Sequence, residues 1–469
     1  MTAVRPSAIT ENKMALFNIM STVLVAGINF FTIPIFTRVL STEGFGIVNI
    51  YIAWVQICTV FVGLKADGSI GSAKANLPED EQDSYHLSVL ILGSLSFAVV
   101  IGLLLIFMPQ VSALLDMEPL LVVAMALQSF GAFIVSLFSM RFIFRKQAQW
   151  NFLVSVGVCV ATTGASLLLI LFMFTDGDGY RGRVLGLSLP YLLIGLALFV
   201  WLSFSARGRV RFSYWKFCLA LTLPLIFHGL SQIALAQIGR ISVQRFDGYS
   251  VAGVYSIAAT VVSVLNSVYT ALNNAFVPFM YDDLADKTGE GVKRRHFRNY
   301  MLLFTLGCCA FALMAPEVLK ILSTEEYWGA VSLLPPLVVG QYCVFLYSFP
   351  VNYEFYAMKT KSIAVGTALA ALLNLALALA LVPVLGMMGA ALATMCAYLA
   401  LFLFHFFIAR YMLGDRNYPA RAFAAGLAAV LAACALCYPL DGLPVVRWVV
   451  GLSLLAIALG RVIKNRTIF

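Results

Sequence analysis

Residues 367–386 read TALAALLNLALALALVPVLG, and Thr367 and Asn374 are their only polar side chains. At a rise of about 1.5 Å per residue, such a stretch spans about 30 Å, the thickness of a bilayer's hydrocarbon core. A strand of a membrane barrel alternates polar and apolar residues, and this stretch does not. It reads as a transmembrane helix. Runs of the same kind recur along the 469 residues, which are 61% hydrophobic and 11% charged, against about 25% charged in ordinary globular chains. The first residues, MTAVRPSAITENK, are polar, unlike a secretory leader. The chain therefore reads as an all-α integral membrane protein whose connections are too short for an extramembrane catalytic domain, so an enzyme is not expected.

Gly, Pro and charged residues divide the chain into fourteen spans, from about residue 14 to about residue 462. The seventh and eighth, 217–239 and 252–280, leave a loop at 240–251, and Pro278 is expected to break the last turn of the eighth. With a cytoplasmic N-terminus this count also puts the C-terminus inside. The inner connections then take most of the 31 Lys and Arg, and the outer side keeps Arg38, Arg181, Arg183, Arg240, Arg245, Lys320 and Arg447. That segregation follows the positive-inside rule. The net charge of +9 thus reports topology and contact with anionic lipid, as in the basic connections Arg207–Lys216 and Lys287–Arg298, and nucleic acid is not an expected partner. The nine cysteines all lie in apolar runs, so Cys434 and Cys437, although spaced as CxxC, read as packing residues; no metal or cofactor is expected.

Shifting the sequence by 207 residues superposes Arg38 on Arg245, Gly46 on Gly253, Gly182 on Gly389, Leu185 on Leu392, Tyr191 on Tyr398 and Leu192 on Leu399. The reading is two six-helix bundles related by a pseudo-two-fold axis along the membrane normal, followed by two extra C-terminal helices. Its divisions are an N-terminal lobe at 1–206, a basic cytoplasmic linker at 207–216, a second lobe at 217–411, and the additional helices and tail at 412–469. Parallel repeats about a central path are a transporter design.

Three segments resemble the polysaccharide flippases of the multidrug/oligosaccharidyl-lipid/polysaccharide (MOP) exporter superfamily. Residues 31–46, FTIPIFTRVLSTEGFG, resemble that family's P-x-x-x-R-x-L-[ST]-x-x-x-[FY]-G signature. Residues 62–75, VGLKADGSIGSAKA, are similar to its G-L-x-x-A-I-x-R segment, with Lys74 in place of the Arg. Residues 358–394 are similar to its K-T…N-x-x-L…P-x-x-G-x-x-G-A-A-x-A-T segment. The resemblance implies a multi-pass protein of the bacterial cytoplasmic (inner) membrane. It would flip a polyprenyl-pyrophosphate-linked oligosaccharide, a unit of O-antigen, capsule or teichuronic acid, to the outer leaflet by alternating access. Fourteen helices look more like the branches that carry peptidoglycan precursors and teichoic or teichuronic acids. Expected partners are the lipid-linked glycan, membrane lipid and glycan polymerase or ligase machinery.

An anionic pyrophosphate headgroup calls for cationic and hydrogen-bonding residues on the bundle interior, where charges are scarce because each costs about 2.5–3.5 kcal/mol at a helix centre. His228 lies near mid-membrane on its helix. Arg38, Arg240 and Arg245 mark the outer ends, suited to phosphate through paired N–H donors or to an outer gate with Glu43, Asp247, Glu325 or Glu326. On the inner side Lys65 and Asp67 end the second helix. Arg141 and Arg145, four residues apart on one helix face, are placed to converge on one anion. Glu354 is expected to pair with Arg141 or Lys65. Asn29, Gln232, Asn273 and Asn274 suit sugar hydroxyls, whereas Asn374 is expected to pack. No Asp or Glu is expected deep in a span, which argues against the competing reading, a multidrug or cation antiporter. The last two helices, nearly free of polar side chains, are expected to offer the polyprenyl tail a shallow apolar groove.

Overall fold

A computed structural model describes residues 8–175, 177–205, 208–285 and 289–465. Arg5, Arg207, Lys287 and Arg466, counted above toward topology, lie outside the described residues. Every regular element among the described residues is helical. Twelve of the helices are long and apolar enough to cross a membrane. The chain divides into two compact units, Met1–Ile233 and Ala234–Phe469.

The first unit is built from α1 (Ala8–Val39), α2 (Thr42–Gly63), the short α3 (Ile70–Asn76), α4 (Gln82–Ile106), α5 (Met108–Leu115), α6 (Pro119–Phe144), α7 (Ala148–Phe172), α8 (Gly179–Ser205) and the start of α9 (Phe212–Leu284). Ser41 caps α2 by accepting from the Gly44 N–H at 3.1 Å, in the middle of the 31–46 segment. Helix α6 is the central one, touching α2, α4, α7 and α8. The opening of α9 packs on α4: Trp215 donates to the Ser88 carbonyl at 2.8 Å, and the Tyr85 ring meets Tyr214 and Phe217 edge-on.

The second unit continues α9 and adds α10 (Glu290–Leu322), α11 (Leu334–Tyr356), α12 (Thr360–Leu385), α13 (Met387–Phe407), α14 (Ala420–Leu436) and α15 (Pro444–Asn465). Its core is aromatic, with Phe276, Tyr300, Phe345 and Phe349 in mutual ring contact. Helices α14 and α15 pack on α10.

Several boundaries differ from the sequence reading. The loop expected at 240–251 is helical, and α9 runs 73 residues, interrupted only at Gly248. At about 1.5 Å per residue an unbroken helix of that length would be about 110 Å long, far beyond one bilayer. The interruption has φ 84° and ψ 177°, a conformation that is nearly glycine-only, so Gly248 alone supplies the break. Pro278 lies inside the helix, which continues to Leu284. The basic run 293–298, expected as a solvated connection, forms the first turns of α10. In each place polar residues lowered the hydropathy without ending the helix, because helical hydrogen bonding tolerates charged side chains that reach solvent.

The two glycines paired by the repeat do the same work in the two units. A Cβ on Gly182 would come within 3.0 Å of the Ile170 nitrogen on α7, and one on Gly389 within 2.4 Å of the Leu381 oxygen on α12. Each marks a close backbone crossing of a helical hairpin, α7–α8 in one unit and α12–α13 in the other.

Candidate substrate site

Charged side chains near or within the membrane fall into two sets, those neutralised by the protein and those that are not. In the first unit Arg141 and Arg145 do converge on one anion, and that anion is the chain's own Asp83, at 2.9 and 2.6 Å. Arg141 is buried, with its guanidinium 5.4 Å from the Trp201 ring centroid. The face expected to receive the substrate's phosphate is thus shared with a carboxylate at the start of α4. Arg181 is similarly held by Glu118 and Asp178, at 3.0 Å each.

Arg183 belongs to the other set. Its Nη1 donates to Ser166 Oγ at 2.9 Å, and its guanidinium lies 3.8 Å from the Phe36 ring centroid. It makes no ion pair with a carboxylate among the described residues. Phe36 belongs to the 31–46 segment, two residues before Arg38, whose side chain is exposed and donates to the Pro34 carbonyl at 2.7 Å. Asn29, about two helical turns before Phe36, is exposed and accepts from the Cys159 thiol at 3.7 Å. The end of α1 thus meets the start of α8 through Phe36 and Arg183, while Arg38, two residues on, lies on the exposed side of α1.

At the other end of α2, Leu64 and Lys65 take left-handed conformations, with φ of 50° and 51°, and turn the chain into a short helical segment. The turn lays Lys65 across α9, where its Cε is 2.7 Å from the point a Cβ on Gly229 would occupy, next to the half-buried His228. Lys65 thus packs against the residue that follows His228, and Asp67 is engaged by the Ser136 hydroxyl at 2.8 Å. Gln232, one turn beyond His228, is exposed.

In the second unit Arg240 is half-buried. Its Nη1 donates to Gln237 at 2.8 Å, while its Nε is shielded from solvent without a hydrogen-bond partner. Arg245 is exposed on the same helix, and neither pairs with Asp247, Glu325 or Glu326 among the described residues. Asn273 accepts from Asn352 at 3.0 Å and Asn274 is exposed. Asn374 is fully buried and donates to the Leu235 carbonyl at 3.0 Å, the packing role expected of it.

Glu354 corrects one expectation. It is fully buried, and its partners are His405 Nδ1 at 2.6 Å and the Ser362 hydroxyl rather than Arg141 or Lys65. Glu354 is thus a shielded carboxylate two residues before the end of α11. Glu317 of α10 is a second, held by the buried Arg447 of α15, with Trp448 Nε1 at 3.3 Å. Helix α15, read as nearly free of polar side chains, is thus locked to α10 by an ion pair. Cys434 and Cys437 are free thiols directed at backbone carbonyls. No grouping of metal-ligating side chains occurs among the described residues.

Arg183 and His405 escaped the sequence reading for different reasons. Hydropathy started the sixth span at 184, so Arg183 was counted as a loop residue, whereas α8 begins at Gly179. His405 carried the same signal as His228, a histidine inside an apolar run, but near the span's end.

Residues 12–282 match the family described as "Polysaccharide biosynthesis protein". The chain belongs to that family. A protein of Haemophilus influenzae described as an uncharacterized membrane protein is 24% identical over 364 residues, covering 74% of this chain and 84% of the relative. The structure of the lipid II flippase MurJ in an inward closed conformation superposes with a TM-score of 0.66 at 13% identity, over 97% of this chain and 98% of that one. An inward-facing multidrug resistance MATE family transporter of the MOP superfamily gives 0.61 at 14% identity, over 84% and 94%. This member of the polysaccharide biosynthesis family is therefore a multi-pass membrane protein with the fold of the MOP-superfamily transporters.

Proposed function

We propose that this chain flips a polyprenyl-pyrophosphate-linked oligosaccharide of the bacterial cell envelope, such as an O-antigen, capsule or teichuronic acid unit, from the cytoplasmic to the outer leaflet by alternating access. The observation that carries the reading is the sorting of charge. Arg183 and Arg240 lie on candidate membrane-spanning helices and have no carboxylate partner among the described residues, while Asp83, Glu118, Glu317 and Glu354 are each engaged by a base. Arginines left with only neutral partners favour an anionic ligand, because they have hydrogen bonds and charge still to satisfy. A cation antiporter needs the opposite, an available carboxylate.

The cytoplasmic membrane is the proposed location, and Lys65 with His228 the proposed inner landing point. Arg38, Arg245, Asn29, Gln232, Asn273 and Asn274 are proposed to serve the headgroup along its path. Fourteen crossings with both termini cytoplasmic remain the proposed topology: α9 would count twice across Gly248, and the 17-residue α14 would supply one more, with the cytoplasmic side resting on the positive-inside rule. The exposed face of α14 at Ala428 and Ala432 suits the polyprenyl tail, which is too apolar to enter a polar path. A lipid-linked peptidoglycan precursor is the second reading, favoured by the full-length superposition on the lipid II flippase.

The test is flipping of fluorescent lipid-linked glycans by purified protein in vesicles, O-antigen-type and peptidoglycan-type carriers side by side. Arg183→Ala and Arg240→Ala should each lower substrate affinity about tenfold or more, as expected for a charge-assisted hydrogen bond worth about 1.5–3 kcal/mol. Arg38→Lys should keep more activity than Arg38→Ala. Unchanged affinity in well-folded Arg183→Ala and Arg240→Ala would refute the anionic-site reading.

A further inference from the structure

The second unit holds a cleft unrelated to the arginines described above. It has a volume of about 1200 Å³ and lies between α10, α14 and the connection that follows α13. The charged lining is basic on balance: Lys293, Arg294 and Arg298 from the first turns of α10 and Arg410 and Arg416 from beyond α13 outnumber one carboxylate, Asp283, which is engaged by His296. Arg410 donates to the Asp415 carbonyl at 3.2 Å, while Arg298 and Arg416 are exposed and make no ion pair among the described residues. The rest of the cleft is apolar: Met301, Leu302 and Leu306 on α10 face Ala422, Ala425 and Ala429 on α14.

These dimensions select a ligand. The cleft is larger than the about 300–1,000 Å³ of usual small-molecule sites. From Arg294 to Leu306 the α10 wall rises about 18 Å at 1.5 Å per residue, close to the depth of one leaflet, about 15 Å. Small residues on α14 keep the apolar part open, and two arginines at its mouth have charge to offer. An apolar groove one leaflet deep beneath a basic mouth matches a single membrane lipid with an anionic head. A polyprenyl chain is too long for a groove of that depth.

We propose that this cleft is a binding site for one anionic glycerophospholipid, its phosphate held by Arg298 and Arg416 with Arg294 and Arg410 alongside, and an acyl chain laid between α10 and α14. Occupancy ties the start of α10 to the α13–α14 connection, so the lipid acts as a structural ligand of the second unit. The proposal does not rest on the reading that assigns Arg183 and Arg240 to substrate.

Native mass spectrometry of the full-length protein, delipidated and then titrated with phosphatidylglycerol or phosphatidylcholine of identical chains, tests it. One phosphatidylglycerol should be retained per chain, at least about fivefold more tightly than phosphatidylcholine, with the preference shrinking as salt rises. Arg298→Gln with Arg416→Gln should abolish the preference. Ala425→Trp should lower retention of both lipids with the arginines intact, and Arg183→Ala should retain phosphatidylglycerol as the parent protein does. Equal retention of the two lipids, an unchanged preference in the double variant, or stoichiometric displacement of phosphatidylglycerol by an equimolar polyprenyl phosphate would each overturn the proposal.

Discussion

The two units handle buried charge in different ways. In Met1–Ile233 one carboxylate, Asp83, serves two arginines, and its side chain is 32% exposed. Arg183 has only a hydroxyl and an aromatic face. In Ala234–Phe469 each deep carboxylate has a base of its own in a dry setting: Glu354 with His405 at 0% exposure on both sides, and Glu317 with Arg447 at 18% and 1%. What separates the units is how their ion-paired carboxylates are held: Asp83 is shared and partly exposed, whereas Glu354 and Glu317 are each closed in a shielded pair. Wet contacts exchange partners cheaply because water replaces a lost hydrogen bond, whereas a shielded charge that loses its partner has nothing to turn to.

The largest effect should come from breaking a dry pair. Glu317→Ala leaves Arg447 buried and uncompensated and should cost about 3–5 kcal/mol of stability. Thermal denaturation in detergent measures it, and a melting point equal to that of the parent would dissolve the distinction between the units. Replacing both partners, Glu317→Leu with Arg447→Met, should recover most of that loss, since an apolar pair of similar size suits a dry site about as well as an ion pair. If the double variant melts as low as the single one, the pair does more than neutralise itself.

A smaller loss is expected in the first unit. Asp83→Asn keeps the shape but removes the charge, and with solvent at hand it should cost about 1–2 kcal/mol, less than half the Glu317→Ala effect. The comparison inverts if Asp83→Asn proves the more damaging of the two. Because the substitution releases Arg141 and Arg145, it should also tighten binding of inorganic pyrophosphate, a readout that a purely structural defect would not raise.

The smallest effect concerns Asp415, in the connection after α13. Burial raises its carboxyl pKa, against the opposing hydrogen bonds from Asn417 at 3.0 and 2.7 Å. A carboxyl whose folded pKa lies above its unfolded value adds stability below the ordinary carboxylate range and loses that contribution as pH rises through the raised value. The melting point should therefore climb slightly as pH falls from neutral into the mildly acidic range, and Asp415→Asn should flatten part of that slope. An identical pH profile in the variant would show that Asp415 titrates as it does in the unfolded chain.

Membrane embedding and family were legible in the sequence because both are written locally. Hydropathy adds up residue by residue within a helix, and the family motifs at 31–46, 62–75 and 358–394 are contiguous. Even so, local reading misplaced the edges, ending helices where charges began: it opened a loop at 240–251 that is helical and left Arg183 outside α8. Composition alone also marked Arg141 and Arg145 as a convergent pair, since their spacing on a helix dictates a shared face.

Only the tertiary structure decided what each charge meets. Asp83 lies 58 and 62 positions from its two arginines, Glu317 is 130 from Arg447, and Glu354 is 51 from His405. Such pairings depend on how far each helix is rotated and how deep it sits, and one residue of rotation, about 100°, changes the neighbour entirely. Nothing in an apolar run fixes that rotation except the packing of the other helices around it. That packing drew three carboxylates, Asp83, Glu354 and Glu317, into structural pairs and left Arg183 and Arg240 without a carboxylate partner among the described residues.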